Sequence, residues 1–208
     1  MLETTLLATN APRAIATAAE ILSAGGLVAF PTDTIYGVAG DPFNPDSLNK
    51  IYQAKERPDE KALPVLIGSL AQLSLLTSTL SPEVVAIAKA FWPGPLTLVL
   101  PKNPNLPPEL SAYPTVGVRM PDHPFTLALL KQTGPLATTS ANISGGPNPT
   151  TAQDVLAQLG GRIDLVLDGG PTPGPAASTV ADFSTPEIKI LREGPISLVD
   201  LQNLSRQD

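Results

Sequence analysis

Apolar positions recur along this chain with two spacings. In residues 12–24, Ile15, Ala18/Ala19 and Leu22 fall on one stripe of an alanine-rich run. That spacing predicts a helix capped by Asn10 and ended by Gly25-Gly26. Residues 27–30 follow as a short, wholly apolar run, the mark of a strand buried on both faces. Leu48, Ile51 and Tyr52 repeat at i, i+3, i+4 behind Asn44-Pro45, which sets proline at the first helical position. Pro58 is expected to stop this helix, because the residue before a proline is pushed out of the α region. Residues 63–67 read as the next strand. Ser81-Pro82-Glu83 opens a helix running to Phe91-Trp92, ended by Pro93-Gly94-Pro95. Strands are predicted over 96–100, 116–120, 136–139, 164–168, 178–183 and 188–191. Helices are predicted over 125–132 and 152–159, the latter behind a capping box, Thr151-x-x-Asp154. A last amphipathic segment carries Ile196, Val199, Leu201 and Leu204. Strands and helices alternate without repeat or composition break, so residues 1–208 read as one α/β domain. The strands near 165–191 leave no room for crossover helices, so part of the sheet is expected to be antiparallel.

Charge then changes the picture, because it is scarce and local. Only 15% of the residues are charged, yet six of the seven in Lys55-Glu-Arg57-Pro-Asp-Glu-Lys61 are. Taken alone, such a run is a solvated turn. Arg119 stands inside Val-Gly-Val-Arg-Met; in a buried strand it needs an anionic partner. Arg192 ends the last predicted strand. Lys55, Arg57, Arg119 and Arg192 keep company with three hydroxyl-rich stretches, Thr32-Asp33-Thr34, Thr138-Thr139-Ser140 and Ser178-Thr179. The first emerges from the end of a buried strand, where open α/β sheets place ligands. Its plain alternative is a local turn closed by threonine hydroxyls. Ser140-Ala-Asn-Ile-Ser-Gly-Gly-Pro-Asn-Pro-Thr150 has the composition of a loop that offers hydroxyls, amides and backbone N–H groups, but it contains no Walker pattern.

Other classes are excluded. The chain has no cysteine and a single histidine, His123, so thiol nucleophiles, thiolate metal sites and serine–histidine relays are set aside. A net charge of −6 argues against a general grip on nucleic acid. No apolar run reaches membrane-spanning length and no signal-peptide layout opens the chain, which points to the cytoplasm. Anion binding with many neutral hydrogen bonds suits catalysis by positioning and charge neutralisation, as in phosphoryl and nucleotidyl transfer.

The residues also match a known pattern. Gly-Gly-Leu-Val-Ala-Phe-Pro-Thr-Asp-Thr-Ile-Tyr-Gly, Lys55-x-Arg57-Pro, Gly117-Val-Arg-Met-Pro-Asp-His, Ser140-Ala-Asn142-x-Ser-Gly, Ser178-Thr-Val and Leu-Arg-Glu-Gly, in that order over about residues 10–197, resemble the YrdC-like domain of L-threonylcarbamoyladenylate synthases. The resemblance implies a twisted mixed parallel/antiparallel sheet with flanking helices around a concave substrate pocket, in a short single-domain form. It implies synthesis of L-threonylcarbamoyl-AMP and pyrophosphate from L-threonine, bicarbonate and ATP, the first step of t6A37 tRNA modification. The product would pass to a separate threonylcarbamoyl transferase complex, without stable tRNA binding. Thr34, Arg119, Thr138 and Ser178 would hold threonine, with Arg119 on its carboxylate. Lys55, Arg57, Lys61, Thr115, Ser140, Asn142, Asn148 and Arg192 would line the ATP side, with Lys55 and Arg57 on the phosphates as the catalytic pair. Leu66 stands where some relatives carry a histidine. Mg2+ would accompany ATP, bound by phosphates and water rather than by protein ligands. Two other readings remain at this point: a paralogue acting in another carbamoyl or adenylyl transfer, and a non-enzymatic RNA-binding module.

Overall fold

A computed structural model describes residues 2–58, 60–174 and 178–205. Its strands are β1 (Thr5–Ala8), β2 (Val28–Phe30), β3 (Gly37–Gly40), β4 (Val65–Leu66), β5 (Leu96–Pro101), β6 (Thr115–Arg119), β7 (Leu136–Ser140), β8 (Leu165–Asp168), β9 (Thr179–Asp182) and β10 (Lys189–Arg192). They form one sheet in the order β1-β8-β2-β3-β7-β4-β6-β5-β9-β10. β1–β8, β2–β8, β4–β6 and β5–β9 pair in parallel. The pairs β2–β3, β3–β7, β4–β7, β5–β6 and β9–β10 are antiparallel. The expected mixed sheet is therefore what forms.

The helices are α1 (Ala14–Ser23), α2 (Pro45–Lys55), α3 (Leu73–Leu76), α4 (Pro82–Phe91), α5 (Pro124–Thr133), α6 (Ala152–Leu159) and α7 (Leu198–Ser205). Their caps are mostly those the sequence announces. Asn44 accepts from the backbone N–H groups of Asp46 and Ser47, Ser81 caps α4, and the Thr151/Asp154 box is reciprocal. Asn10 is not a cap: α1 starts after Arg13, with no side-chain cap bond. Nor does Pro58 end α2. The helix stops earlier, at Lys55, because Glu56 takes a left-handed conformation (φ 51°). The strand expected over 63–67 shrinks to Val65–Leu66.

Period-two alternation assigns the two faces of the sheet. Leu27, Ala29, Val38, Val65, Leu96, Leu98, Leu100, Val116, Val118, Ala137 and Val166 pack with α2, α4, α6 and α7 in one apolar cluster. Each fully buried Leu or Val there contributes about 1.5–3 kcal/mol. The other face buries Val28, Phe30, Ala39, Leu66, Leu136, Leu165 and Leu167, but only against α1 and α5. Those two helices cover the β8-β2-β3-β7 part of it. Over β6, β5 and β9 this second face is left open, and there Arg119, Thr97 and Thr115 stand among Gly117, Val99 and Val180.

Candidate active site

The open face is ordered by strand register. Leu66, Arg119 and Thr97 are neighbours across β4, β6 and β5, and Thr97 pairs with Val180 of β9. Two residues along, Gly117 pairs with Val99; two further on, Thr115 closes the face. On β7, Thr138 and Ser140 run beside Ala39 and Gly37. All of these except Ala39 line one cavity of about 570 Å³, with Thr34, Arg57, Tyr113, Asn148, Ser178, Leu191 and Arg192 around its rim. At ~3.4 Å per residue, the Arg119 and Thr115 levels lie roughly 14 Å apart. Gly37 keeps the floor flat: a Cβ there would stand 2.8 Å from Thr138 Cγ2.

At one end, Arg119 is buried and nearly saturated. Its Nη2 donates to both oxygens of Asp33, at 2.6 and 2.7 Å. Its Nε donates to the Gly94 carbonyl at 3.0 Å, and Nη1 makes a long 3.4 Å contact with Thr34 Oγ1. The anionic partner that a buried arginine requires is thus Asp33, and Arg119 is not held ready for a substrate carboxylate alone. The turn carrying Asp33 is closed by hydroxyls: Thr34 N–H donates to Thr32 Oγ1 (3.2 Å), which donates to the Ile35 carbonyl (2.7 Å). The local turn and the cavity wall are one structure.

Arg192 lies at this same end. Its Nε and Nη2 donate to the Ser178 carbonyl (3.0 and 2.9 Å), and Nη2 also donates to Ser178 Oγ (3.0 Å), which lies 3.0 Å from Thr97 Oγ1. A register shift between Ile190 and Arg192 breaks strand alternation, so Leu191 and Arg192 both line the cavity. Burial, then the nearby charge of Arg119, lowers the Arg192 pKa.

Arg57 marks the other end. Its Nη2 donates to the Ala62 carbonyl at 2.9 Å and its Nε to that of Lys61 at 3.3 Å, while burial lowers its pKa. Among the described residues, Nη1 of Arg57 and Nη1 of Arg192 have no partner, and neither arginine forms an ion pair.

Three expected ATP ligands do not reach the cavity wall. Lys55 is 1% exposed; its ammonium donates to the backbone carbonyls of Ser140 and Asn142 and approaches Asn142 Oδ1 at 3.4 Å. It cannot serve as a phosphate ligand in this arrangement, because its three donors are taken by the turn it supports. Asn142 is buried with that turn, its amide donating to the Gly146 carbonyl at 2.8 Å. Lys61 projects into solvent and contributes its carbonyl, to Arg57 and to the Tyr52 hydroxyl. Of the acidic members of the run, Glu56 forms an exposed pair with Arg162 at 2.7 Å, Glu60 is exposed, and Asp59 lies outside the described residues.

Sequence reasoning gave no role to Asp33, Thr97, Tyr113 or Leu191. The signal for Thr97 was available, since it is the one polar residue in Leu-Thr-Leu-Val-Leu. A second hollow of about 530 Å³ lies behind α1; its lining carries Glu20 and Asp41 and no cation, so it does not suit an anion.

With this geometry in hand, likeness to known proteins is informative. The Sua5/YciO/YrdC family model, described as telomere recombination, matches residues 20–194. A threonylcarbamoyl-AMP synthase of Bacillus subtilis is 45% identical over 92% of this chain and 56% of its own length. A putative threonylcarbamoyl-AMP synthase of Mycobacterium tuberculosis is 39% identical over 89% of this chain and 86% of its own. The crystal structure of Pyrococcus abyssi Sua5 complexed with L-threonine superposes with a TM-score of 0.89 at 37% identity, covering 98% of this chain and 60% of that one. The chain thus spans little more than half the length of the Bacillus and Pyrococcus proteins.

Proposed function

This chain belongs to the Sua5/YciO/YrdC family, and from that premise we propose that it makes L-threonylcarbamoyl-AMP and pyrophosphate from L-threonine, bicarbonate and ATP, the first step of t6A37 tRNA modification. One observation carries the reading: a single cavity holds a buried Arg119 at one end, Arg57 at the other, and a floor of hydroxyls between them. An amino acid fits the first end and a nucleotide the second, with their reacting groups meeting over the floor. The threonine complex of the Pyrococcus relative supports the choice of amino acid.

The threonine amine adds to the bicarbonate carbon, and the C–OH oxygen leaves with an amine proton as water, giving N-carboxythreonine. A carboxylate oxygen of that group then attacks the α-phosphorus of ATP in line, forming the mixed anhydride as the bond to the bridging oxygen breaks and pyrophosphate leaves. Thr34, Thr138 and Ser178 orient the amino acid, with Arg119 on its carboxylate. Thr115, Ser140 and Asn148 face the nucleotide. Arg57, at the nucleotide end, neutralises the leaving phosphates as charge develops, and Arg192, held on Ser178 at the Arg119 end, is assigned to the α-phosphate where the two substrates meet. Among the described residues no group of three carboxylate, imidazole or thiol side chains is placed to hold a metal. Mg2+ is assigned to the nucleotide, and no step is routed through it. Among the described residues no helix is long and apolar enough to cross a membrane. We place the activity in the cytoplasm, with the product handed to a separate threonylcarbamoyl transferase complex.

Incubation with the three substrates is expected to yield threonylcarbamoyl-AMP by mass spectrometry, with stoichiometric pyrophosphate. Product that persists without threonine, or none with all three substrates, refutes the assignment.

A further inference from the structure

The proposed reaction passes through a second carboxylate. Threonine brings its own, which Arg119 takes in the reading above, and bicarbonate adds another on the amine. Arg119 has little left for both: its Nη2 is committed to Asp33 and its Nε to the Gly94 carbonyl. The added group needs a donor of its own, beside the threonine end and facing the α-phosphate.

A count of hydrogens finds that donor. Ser178 Oγ accepts from Arg192 Nη2 at 3.0 Å and lies 3.0 Å from Thr97 Oγ1. A guanidinium only donates, and each hydroxyl carries one hydrogen. One of the two hydroxyl hydrogens closes the Thr97–Ser178 contact. The other has no acceptor among the described residues, although Thr97 and Ser178 are both buried and both line the cavity. A hydroxyl that accepts from a cation becomes the better donor, so the chain runs from Arg192 through Ser178 to Thr97 and leaves the last hydrogen on Thr97 Oγ1. The Thr97 methyl lies on the Gly117 side, where an added Cβ would stand 3.3 Å from it. Being β-branched, the side chain is stiff about χ1, which keeps its hydroxyl at Ser178. A buried hydrogen without an acceptor costs free energy, and a ligand oxygen over Thr97 relieves that cost.

We infer that Thr97 binds the carboxyl group that bicarbonate adds to threonine, donating to the oxygen of N-carboxythreonine that does not attack phosphorus. Thr97 stands beside Arg119 across β5 and β6 and shares Ser178 with Arg192. A carboxyl carried on the amine of a threonine seated at Arg119 therefore meets Thr97 with one oxygen and the α-phosphate, at Arg192, with the other. Once that second oxygen bonds to phosphorus, the first becomes the carbonyl of the mixed anhydride and keeps its hydrogen bond. The inference rests on the function proposed above.

Thr97→Val removes the hydroxyl and keeps the shape. With bicarbonate varied in buffer stripped of carbon dioxide, the KM for bicarbonate is expected to rise about tenfold in this variant. The KM for ATP holds, as does the affinity for threonine measured by calorimetry without bicarbonate. Thr97→Ser, which keeps the hydroxyl, brings the bicarbonate KM back to near the wild-type value. A change of packing alone would neither single out bicarbonate nor follow the hydroxyl. An unchanged bicarbonate KM in folded Thr97→Val overturns the inference. So does a loss of threonine affinity in the absence of bicarbonate, because the hydroxyl would then hold the amino acid itself. Where Thr97→Val does not fold, Thr97→Ala removes the same hydroxyl without adding an atom, and the same two constants decide. A wild-type protein that forms no threonylcarbamoyl-AMP from the three substrates overturns the enzymatic reading on which the inference stands.

Discussion

Burial, with the charge of Arg57 as the second cause, takes the Lys55 ammonium from an ordinary 10.5 to about 7. Below about pH 7 the side chain is charged in the folded and unfolded chain alike. Between about 7 and 10.5 the unfolded chain keeps a proton that the folded one has lost, so stability rises with pH across that window. Denaturant titrations at about pH 7 and about pH 9 are expected to show the wild-type protein gaining on Lys55→Met by up to ~1.4 kcal/mol per pH unit. Parallel pH dependence in the two proteins would exclude a buried Lys55 with this pKa. Arg57 is the contrast, two residues along the same turn. With no partner for Nη1 among the described residues and its side chain lining the cavity, it is expected to act on the phosphates. Arg57→Ala should therefore lower the rate of pyrophosphate release about 10²–10³-fold, with threonine affinity by calorimetry nearly unchanged. Unchanged pyrophosphate release would end its assignment as a phosphate ligand.

Caps and registers place these side chains, and they separate fold stability from function. The Thr151/Asp154 capping box starts α6, which packs on the closed face of the sheet. Thr151→Ala is expected to cost about 1 kcal/mol of stability, read as a lower denaturation midpoint, with KM values unaltered. Gly37→Ala addresses β3 and β7 instead. Its Cβ would meet Thr138 Cγ2 at 2.8 Å and push aside a residue proposed to touch threonine, so the KM for threonine should rise while that for ATP holds. Elements of this kind were legible in the sequence where one local cause decides them: Asn44-Pro45, Ser81-Pro82, the capping box, and the apolar runs of β2, β5 and β8. The fold eluded the sequence where pairing decides. The edge strand β1 has its partner β8 about 160 residues away, and β3 is written Gly-Val-Ala-Gly, a poor strand former held by β2 and β7. At the candidate site, the motifs marked stretches that the fold brings to one cavity, but could not say which donors were already occupied. Lys55 and Arg57 look equivalent in Lys-Glu-Arg-Pro, and only the left-handed Glu56, which turns the chain between them, sends one inward and one to the rim.

At the scale of the whole molecule, the distribution of charge decides between a nucleotide and a nucleic acid as partner. The chain carries a net −6, while Arg57, Arg119 and Arg192 are gathered on one cavity of about 570 Å³. Duplex binding needs cations spread along a face, so that several phosphates are neutralised and their counterions released. Cations recessed in a pocket meet the phosphates of one nucleotide and leave a duplex facing an acidic exterior. The two cases differ in salt response. ATP affinity is expected to fall with added salt, because Arg57 and Arg192 are proposed to meet its phosphates and neither forms an ion pair among the described residues. Anisotropy of labelled tRNA is expected to stay flat on titration with the protein at about 0.15 M salt, with or without the substrates. Sub-micromolar tRNA binding under those conditions would require a basic surface that this arrangement of side chains does not provide, and would revive the RNA-binding alternative in place of the handover to a separate transferase.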